Sequence, residues 1–302
     1  MLKIIPYKKY WYSCSINNMM SILTSVNPTY EIFMLENDYY YTIEIDPYDN
    51  DRVNICFEQE KYEKLIKYKY EEFKIADVEN IIYNAVNMQK ILMFPVNLGF
   101  WLEDSIAYGR VYYNHYVLVV GYDIAKNEVY ILDDDKNGYN IHKVGYRHFI
   151  KCVEYSGNNT LKKIEYTYES ENKNIDFESI KKNAGKLQKS IDYVVMYIDS
   201  LSRQDSFFEM RDFYMTPFVL ENRFRANSDL TKLLLKENLI NMKQYEETIK
   251  IISDNLKETR RLKMYTTKLM IAKKNGDCSN INRKVVEILE RERNFWNKLL
   301  EK

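Results

Sequence analysis

The chain has 302 residues, of which 46% are hydrophobic, so it is long enough for two domains with buried cores. Its net charge is zero, with 15 basic and 21 acidic side chains in residues 1–150 and 29 and 23 in the remainder, which gives no support for nucleic-acid binding. Apolar runs such as "YVLVVGY" are too short to span a bilayer, and four widely separated cysteines without a CxxC pair argue against a metal site. With no signal peptide recognisable at the start, we expect a cytoplasmic protein with free thiols and no membrane partner.

The segment "YWYSCSINNMMSIL" predicts a helix that begins at Cys14. Ser13 is a typical N-cap, and apolar residues of one helix face follow at spacings of three and four: Ile16, Met19, Met20 and Leu23. The N-terminus of a helix carries partial positive charge and unpaired N–H groups, which favour a thiolate and a developing oxyanion. Cys14 is therefore placed as a nucleophile would be. The alternative is that it is a small buried hydrophobe.

The remainder of the first half mixes helices and strands. Helices are predicted at 28–37, 60–73, 77–90, with Asp77 as the cap of the third, and 146–155. Strands are predicted at 39–45, 53–58, 91–98, 115–123, 127–135 and 138–144. The strands at 115–123 and 127–135 are separated by the short segment "IAKN", so they form an antiparallel hairpin.

The second half predicts long amphipathic helices, at 176–201, 205–225, 228–237, 241–274 and 281–301. The spacing fits neither a fixed repeat nor a sustained heptad, so we expect a helical bundle. The fold class is α+β, with a catalytic domain at 1–160 and an all-α helical domain at 161–302. The surplus of basic residues in the helical part either serves an acidic partner or covers solvated helix faces.

A histidine and a carboxylate complete the chemistry of Cys14. His115 begins the apolar strand "HYVLVVGYD", and Asp133 ends the next strand, so the two are neighbours across an antiparallel hairpin. A carboxylate there fixes the imidazole tautomer and stabilises its charged form. Cys14, His115 and Asp133 then form a nucleophile, a base and an orienting acid. Taken singly, His115 is also a plain strand residue, and Asp133 also belongs to an acidic turn.

The loop "GFWLEDSIAYGRVYYN" precedes His115 and is rich in aromatic side chains. These either line an acyl channel or pack on the sheet as a surface cluster: Trp101, Tyr108, Tyr112 and Tyr113. Glu103 and Asp104 in this loop are candidates to attract a cationic amine. His148 and Cys152, four residues apart on a predicted helix, form a second dyad that lacks an acid and a strand scaffold.

The segments "YWYSCSINNMMSIL", "NHYVLVVGYD" and "VYILDDD" resemble the active-site segments of papain-like proteins of the C39-peptidase type. More closely, the chain resembles the butirosin biosynthesis protein H family, which pairs such a papain-like (C39 peptidase-like) domain with a helical C-terminal region. In size it is also similar to a related branch that joins acyl units to a diamine in closthioamide assembly. The motifs cover about the first 150 residues.

The resemblance implies an acyltransferase. Such an enzyme takes an acyl group from the phosphopantetheine arm of an acyl or peptidyl carrier protein and gives it to a small amine, with no other cofactor. Carried onto this sequence, the catalytic residues are Cys14, His115 and Asp133.

Papain-type proteases place a glutamine a few residues before the cysteine, and this chain has none there. Trp11 and Asn17 are therefore candidate oxyanion donors, whereas Trp101 and Tyr112 are candidate substrate contacts. The missing glutamine argues mildly for the acyltransferase, because a thioester carbonyl needs less polarisation than an amide. A cysteine peptidase or amidase and a non-catalytic binding module of the same fold are the alternatives.

Overall fold

The computed structural model describes residues 1–36, 38–44, 52–57, 62, 64–104, 108–109, 112–135, 138–167, 173–200, 212–272 and 278–301. Within these residues the chain is an α+β protein that divides into two compact units. The first unit comprises Met1–Glu31 and Gln59–Lys173, and the second comprises Ile32–Glu58 and Asn174–Lys302.

The first unit is built on a six-stranded antiparallel sheet. Its strands are β3 (Ile66–Glu72), β4 (Ile91–Asn97), β5 (Asn114–Asp123), β6 (Glu128–Asp135), β7 (Gly138–Gly145) and β8 (Thr160–Tyr166). The strand order is β3-β8-β4-β5-β6-β7. In the two central strands the runs 91–96 and 117–120 are buried at every position, as expected for strands covered on both faces.

Among the described residues of this unit, the α-helices of more than one turn are α1 (Cys14–Val26), α3 (Val78–Asn87) and α4 (Tyr146–Ser156). One core cluster joins the sheet to α3 and α4, and it includes Ile82, Phe94, Val117 and Phe149. The helix α1 contacts β6. This contact brings the beginning of α1 to the end of β6 where the acidic residues lie.

The second unit contains a two-stranded antiparallel hairpin and long helices. The hairpin is β1 (Tyr39–Glu44) and β2 (Arg52–Phe57), preceded by the short helix α2 (Ile32–Leu35). The long helices are α5 (Phe177–Ser200), α6 (Asp212–Lys236), α7 (Met242–Ala272) and α8 (Cys278–Leu300). Neighbouring helices α6 and α7, and α7 and α8, pack on each other.

Most predicted elements of the first half are confirmed. Ser13 caps α1 through a hydrogen bond from the Ile16 amide to its hydroxyl at 3.3 Å. The hairpin of β5 and β6 and the third strand β7 are present in antiparallel register. Asp77 stands at the N-cap of α3 without a side-chain cap bond. The predicted helix at 28–37 is a 3-10 turn, Pro28–Glu31, followed by the single turn of α2.

The predicted helix at 60–73 is wrong, because Ile66–Glu72 is the strand β3. Among the described strands, this one lies at the edge of the sheet and pairs with β8. Edge strands carry charged side chains that discourage pairing with other chains, and "KYKYEE" is mostly exposed. A run of charged residues is also typical of the solvent-exposed face of a helix, which is why the sequence predicted a helix here.

The strand β8 was not predicted, and it begins at the predicted boundary between the two domains, at residue 160. It pairs with both β3 and β4 and thus connects the edge strand to the rest of the sheet. The first unit accordingly extends to Lys173, and residues 32–58, expected within a domain at 1–160, fall in the second unit.

In the second half, the helices predicted at 205–225 and 228–237 form one continuous helix, α6, from Asp212 to Lys236. Residues 201–211, which include the predicted start of the first of them, lie outside the described residues. The other three predicted helices are confirmed within a few residues. None of the helices in the described ranges is long and apolar enough to cross a membrane. Cys14, Cys56 and Cys152 are free thiols.

Candidate active site

The turn before α1 is fixed by Asn17, which is fully buried. Its amide nitrogen donates to the carbonyls of Tyr7 at 3.1 Å and Tyr10 at 2.8 Å, and its amide oxygen accepts from the Tyr12 N–H at 3.1 Å. Both of its N–H groups are thereby used. Asn17 therefore holds the turn that precedes Cys14, a structural role beside its prediction as an oxyanion donor.

His115 and Asp133 are adjacent across β5 and β6. The Nε2 atom of His115 lies 3.1 Å from Oδ1 of Asp133. The indole N–H of Trp101 donates to Oδ2 of the same carboxylate at 2.7 Å. Asp133 and Trp101 are buried, with 2% and 1% of their surface exposed, so both carboxylate oxygens are held in a dry environment. Trp101 is thus a positioning residue for Asp133, a role that neither sequence interpretation of it, a substrate contact or a member of a surface aromatic cluster, included.

Cys14 lies beside this pair. One atom each from Cys14, His115 and Asp133 lie within 4.8 Å of one another. The thiol itself donates a hydrogen bond to Oδ1 of Asp134 at 2.8 Å. Asp134 was visible in the sequence only as the middle of an acidic run, and its half-buried contact with Cys14 depends on how α1 meets β6.

The electrostatics of the resting site keep the proton on sulfur. Burial raises the pKa of the Cys14 thiol well above its ordinary value, and the charges of Asp133 and Asp134 raise it further. This reverses the expectation that the helix terminus alone would favour a thiolate. Burial and the neighbouring Asp133 charge also raise the pKa of Asp134, to about 6.

In the His115–Asp133 pair, in contrast to the neutral Cys14 thiol, the charged form of each group is favoured. Burial lowers the pKa of His115, but attraction to the Asp133 carboxylate outweighs it, so the net pKa of His115 is raised. Burial raises the pKa of Asp133, whereas His115 and the hydrogen bond from Trp101 lower it to below its usual range. Asp133 therefore stays ionised and stabilises the imidazolium that would form if His115 took a proton from Cys14.

The helix terminus supplies the nearest backbone donors. Because the Ile16 amide is capped by Ser13 and the Asn17 amide bonds to the Ser13 carbonyl, the helix leaves the amides of Cys14 and Ser15 without intrahelical acceptors. These are the groups that could hold an oxyanion formed at Cys14.

Two further predicted contacts, Trp11 and Tyr112, lie in the turn before α1 and in the segment before β5. Trp11 is half-buried in the turn before α1. Tyr112 is 60% exposed and packs edge-on against Phe100, with ring centroids 5.4 Å apart. A Cβ on Gly99 would come within 2.3 Å of the Tyr112 ring, so only glycine allows this approach. Tyr112 is therefore a surface side chain anchored to the loop.

The second cysteine and histidine pair supports the loop that carries Trp101. His148 Nε2 lies 2.8 Å from the Trp101 carbonyl, and the Cys152 thiol donates to the Phe100 carbonyl at 3.1 Å. Burial raises the pKa of Cys152 to about 12. An inert thiol and a histidine engaged with the backbone fit a structural role.

Cys14, His115 and Asp133 are also of the residue types that bind transition metals. In Asp133, however, both oxygens already accept hydrogen bonds, and the Cys14 proton is directed to Asp134. These hydrogen bonds occupy both oxygens of Asp133 and the Cys14 proton, so the three side chains form a hydrogen-bonded network.

A scan against protein-family models finds no match for this chain. A search of curated proteins likewise finds no matching relative.

Proposed function

We propose that the first unit is a papain-like domain of the C39-peptidase type and that the protein is a cysteine-dependent acyltransferase. The observation that carries the proposal is the approach of Cys14, His115 and Asp133 to within 4.8 Å, from a helix start and two adjacent strands. A nucleophile, a base and an orienting acid in this arrangement are the requirements for covalent acyl transfer.

The order of the residues along the chain supports the same fold. The cysteine begins the first helix, and the histidine and aspartate follow on neighbouring antiparallel strands. Trp101 covers the aspartate and donates to it, which keeps solvent from the His115–Asp133 hydrogen bond. The order and the roles of these residues match the butirosin biosynthesis protein H type of enzyme.

In the first half-reaction His115 takes the Cys14 proton as the sulfur attacks the carbonyl of an acyl thioester. Because Nε2 of His115 faces Asp133, Nδ1 is the nitrogen left for this proton. The amides at the start of α1 hold the oxyanion, the donor thiolate leaves, and it is reprotonated by His115. The acyl group is then a thioester on Cys14.

A thioester donor suits a thiol that is neutral at rest. Exchange of an acyl group between two thiols is nearly thermoneutral, so no other activation is required. The donor proposed here is the phosphopantetheine arm of an acyl or peptidyl carrier protein. In the second half-reaction an amine attacks the acyl-enzyme and forms an amide, and the acceptor can be a diamine. A carrier-protein partner and free thiols are consistent with a cytoplasmic location.

Intact-protein mass spectrometry tests this proposal directly. The protein is incubated with acyl thioesters of N-acetylcysteamine and with acyl-loaded carrier proteins, and the adduct is then chased with amines or with buffer alone. The Cys14→Ala variant should lose the adduct, whereas Cys56→Ala, which removes a free thiol from β2, should keep it.

Discharge by amine into an amide supports the transferase. Discharge by water alone would make the protein a cysteine hydrolase of the same fold. If no donor acylates Cys14, the catalytic proposal fails and a binding module replaces it.

A further inference from the structure

The Cys14 thiol at rest donates a hydrogen bond to Oδ1 of Asp134 at 2.8 Å. The Asp134 side chain is half-buried and directly follows Asp133 in β6. The mechanism proposed above, with a nucleophile, a base and an orienting acid, gives Asp134 no role. A carboxylate that touches the reacting sulfur still needs a function during the reaction.

Acylation changes the environment of Asp134. When the Cys14 S–H bond is replaced by an S–C bond, the sulfur can no longer donate a hydrogen bond. A half-buried carboxylate then lies next to the thioester without the donor that it had at rest. Leaving a carboxylate without its donor costs free energy, so a new donor is favoured at this position.

The charge around the sulfur selects the kind of donor. Asp133 and Asp134 both raise the pKa of Cys14, which means that both carboxylates act on the sulfur as negative charges. The protonated amine is attracted by these charges more strongly than water or an alcohol, and it loses one proton to solvent before it attacks. The neutral amine then keeps a lone pair for the acyl carbon and N–H groups for the carboxylate. Nε2 of His115 is held by Asp133, so the imidazole offers Nδ1 as one proton acceptor near the sulfur. The carboxylate of Asp134 is a second proton acceptor there.

We propose that Asp134 is a catalytic residue of the second half-reaction, which binds a primary amine acceptor through its N–H and takes its proton. This inference rests on the acyltransferase proposed above. The amine nitrogen forms a bond to the acyl carbon, the C–S bond to Cys14 breaks, and one amine proton passes to Asp134. The proton then moves from Asp134 to the departing sulfur, which restores the thiol–carboxylate hydrogen bond of the resting site. The sum is acyl-Cys14 plus amine giving amide plus free thiol.

Separate measurement of the acylation and aminolysis rates of Asp134→Asn distinguishes this catalytic role from a structural one. The probe donor is the acyl N-acetylcysteamine thioester that acylates the wild type best, and the acceptors are ethylamine and 1,4-diaminobutane. Acylation is followed by intact mass, and the isolated acyl-enzyme is then mixed with amine or with buffer. Asp123→Asn is the matched control, because it removes the same charge at the opposite end of β5 from His115.

We expect Asp134→Asn to acylate at nearly the wild-type rate and to transfer to amine about 100-fold more slowly, as is typical for the loss of a proton acceptor. Its hydrolysis in buffer should fall much less, and Asp123→Asn should match the wild type throughout. Unchanged aminolysis in Asp134→Asn would overturn the inference, as would an equal loss of acylation and aminolysis. If the wild type is never acylated, the proposed function itself fails, which is a distinct result.

Discussion

At the scale of single residues, Asp133 is the centre of the site because it joins two different side chains. One oxygen lies against His115 and the other accepts from Trp101, and the carboxylate is 2% exposed. A buried carboxylate in this position raises the pKa of the histidine beside it, against the effect of burial. The pKa of His115 is therefore the balance of two opposed effects, burial, which lowers it, and the Asp133 carboxylate, which raises it.

This dependence predicts the pH profile of acylation. Only neutral His115 can accept the Cys14 proton, so the rate should rise with pH through a pKa above the ordinary histidine value of 6.5. In Asp133→Asn the attraction is removed while burial remains, so the inflection should move to lower pH and the plateau should fall roughly 100-fold or more. The measurement is the second-order rate of acyl-adduct formation from pH 5 to 9. An inflection that stays in place in the variant would show that another group controls the profile.

At the scale of elements, the start of α1 is determined by its capping residue and by the turn before it. Ser13 caps the helix, and Asn17 bonds back to three backbone groups of the preceding segment. Together they fix the position of Cys14 at the helix terminus. The local sequence accounts for the cap, whereas the role of Asn17 depends on the path of residues 7–12.

Asn17→Ala should therefore destabilise the protein more than Ser13→Ala. The loss of Asn17 leaves two carbonyls and one N–H buried without their partner, at a cost of roughly 2–4 kcal/mol, whereas loss of the cap costs about 1 kcal/mol. Urea unfolding measures both, with Asn84→Ala on the exposed face of α3 as the control. If Asn17→Ala keeps wild-type stability but loses acylation, the result would contradict this structural role and support the prediction that Asn17 is an oxyanion donor.

At the scale of the molecule, each unit has its own buried polar network. In the second unit Glu292 of α8 is fully buried and accepts hydrogen bonds from the hydroxyls of Tyr39 and Tyr41 in β1. The guanidinium of Arg223 lies 4.6 Å from the centre of the Tyr39 ring. Burial raises the pKa of Glu292, against the opposing effect of the two tyrosine hydroxyls and Arg223. The network explains why the hairpin of β1 and β2 belongs with the helices.

Glu292→Ala should lower the free energy of unfolding by roughly 3–5 kcal/mol, because it leaves Arg223 and two tyrosine hydroxyls in the core without the carboxylate. Glu292→Gln keeps the shape and should cost less. Glu290→Gln, on the same helix and paired with Arg293 at the surface, should change stability by about 0–1 kcal/mol. Chemical unfolding monitored by circular dichroism makes this comparison. Equal effects of the two glutamine variants would mean that the network does not stabilise the unit.

Sequence reasoning found the elements whose signals are local. The Ser13 cap, the apolar run of β5 and the two-strand hairpin that ends in acid depend on neighbours a few positions away, and all three are present. Hairpin geometry predicted the His115–Asp133 pair, whereas Cys14 was joined to it through the resemblance to papain-like proteins. The structure brings one atom of each of the three to within 4.8 Å of the others.

Other features were determined by contacts between residues distant in the chain. The edge strand β3 was read as a helix because its charges reflect its place in the sheet, and β8 was missed because its partners are β3 and β4. Asp134 acquires its contact with a thiol 120 positions away, and Tyr39 its contact with a carboxylate 253 positions away. The sequence by itself indicated Cys14, His115 and Asp133 as a nucleophile, a base and an orienting acid, whereas the contacts of Asp134 and Trp101 depend on the tertiary structure. Only the tertiary structure decided where the proton of Cys14 rests, because burial and the neighbouring charges, which raise the pKa of the thiol, exist only once α1 and β6 have packed together.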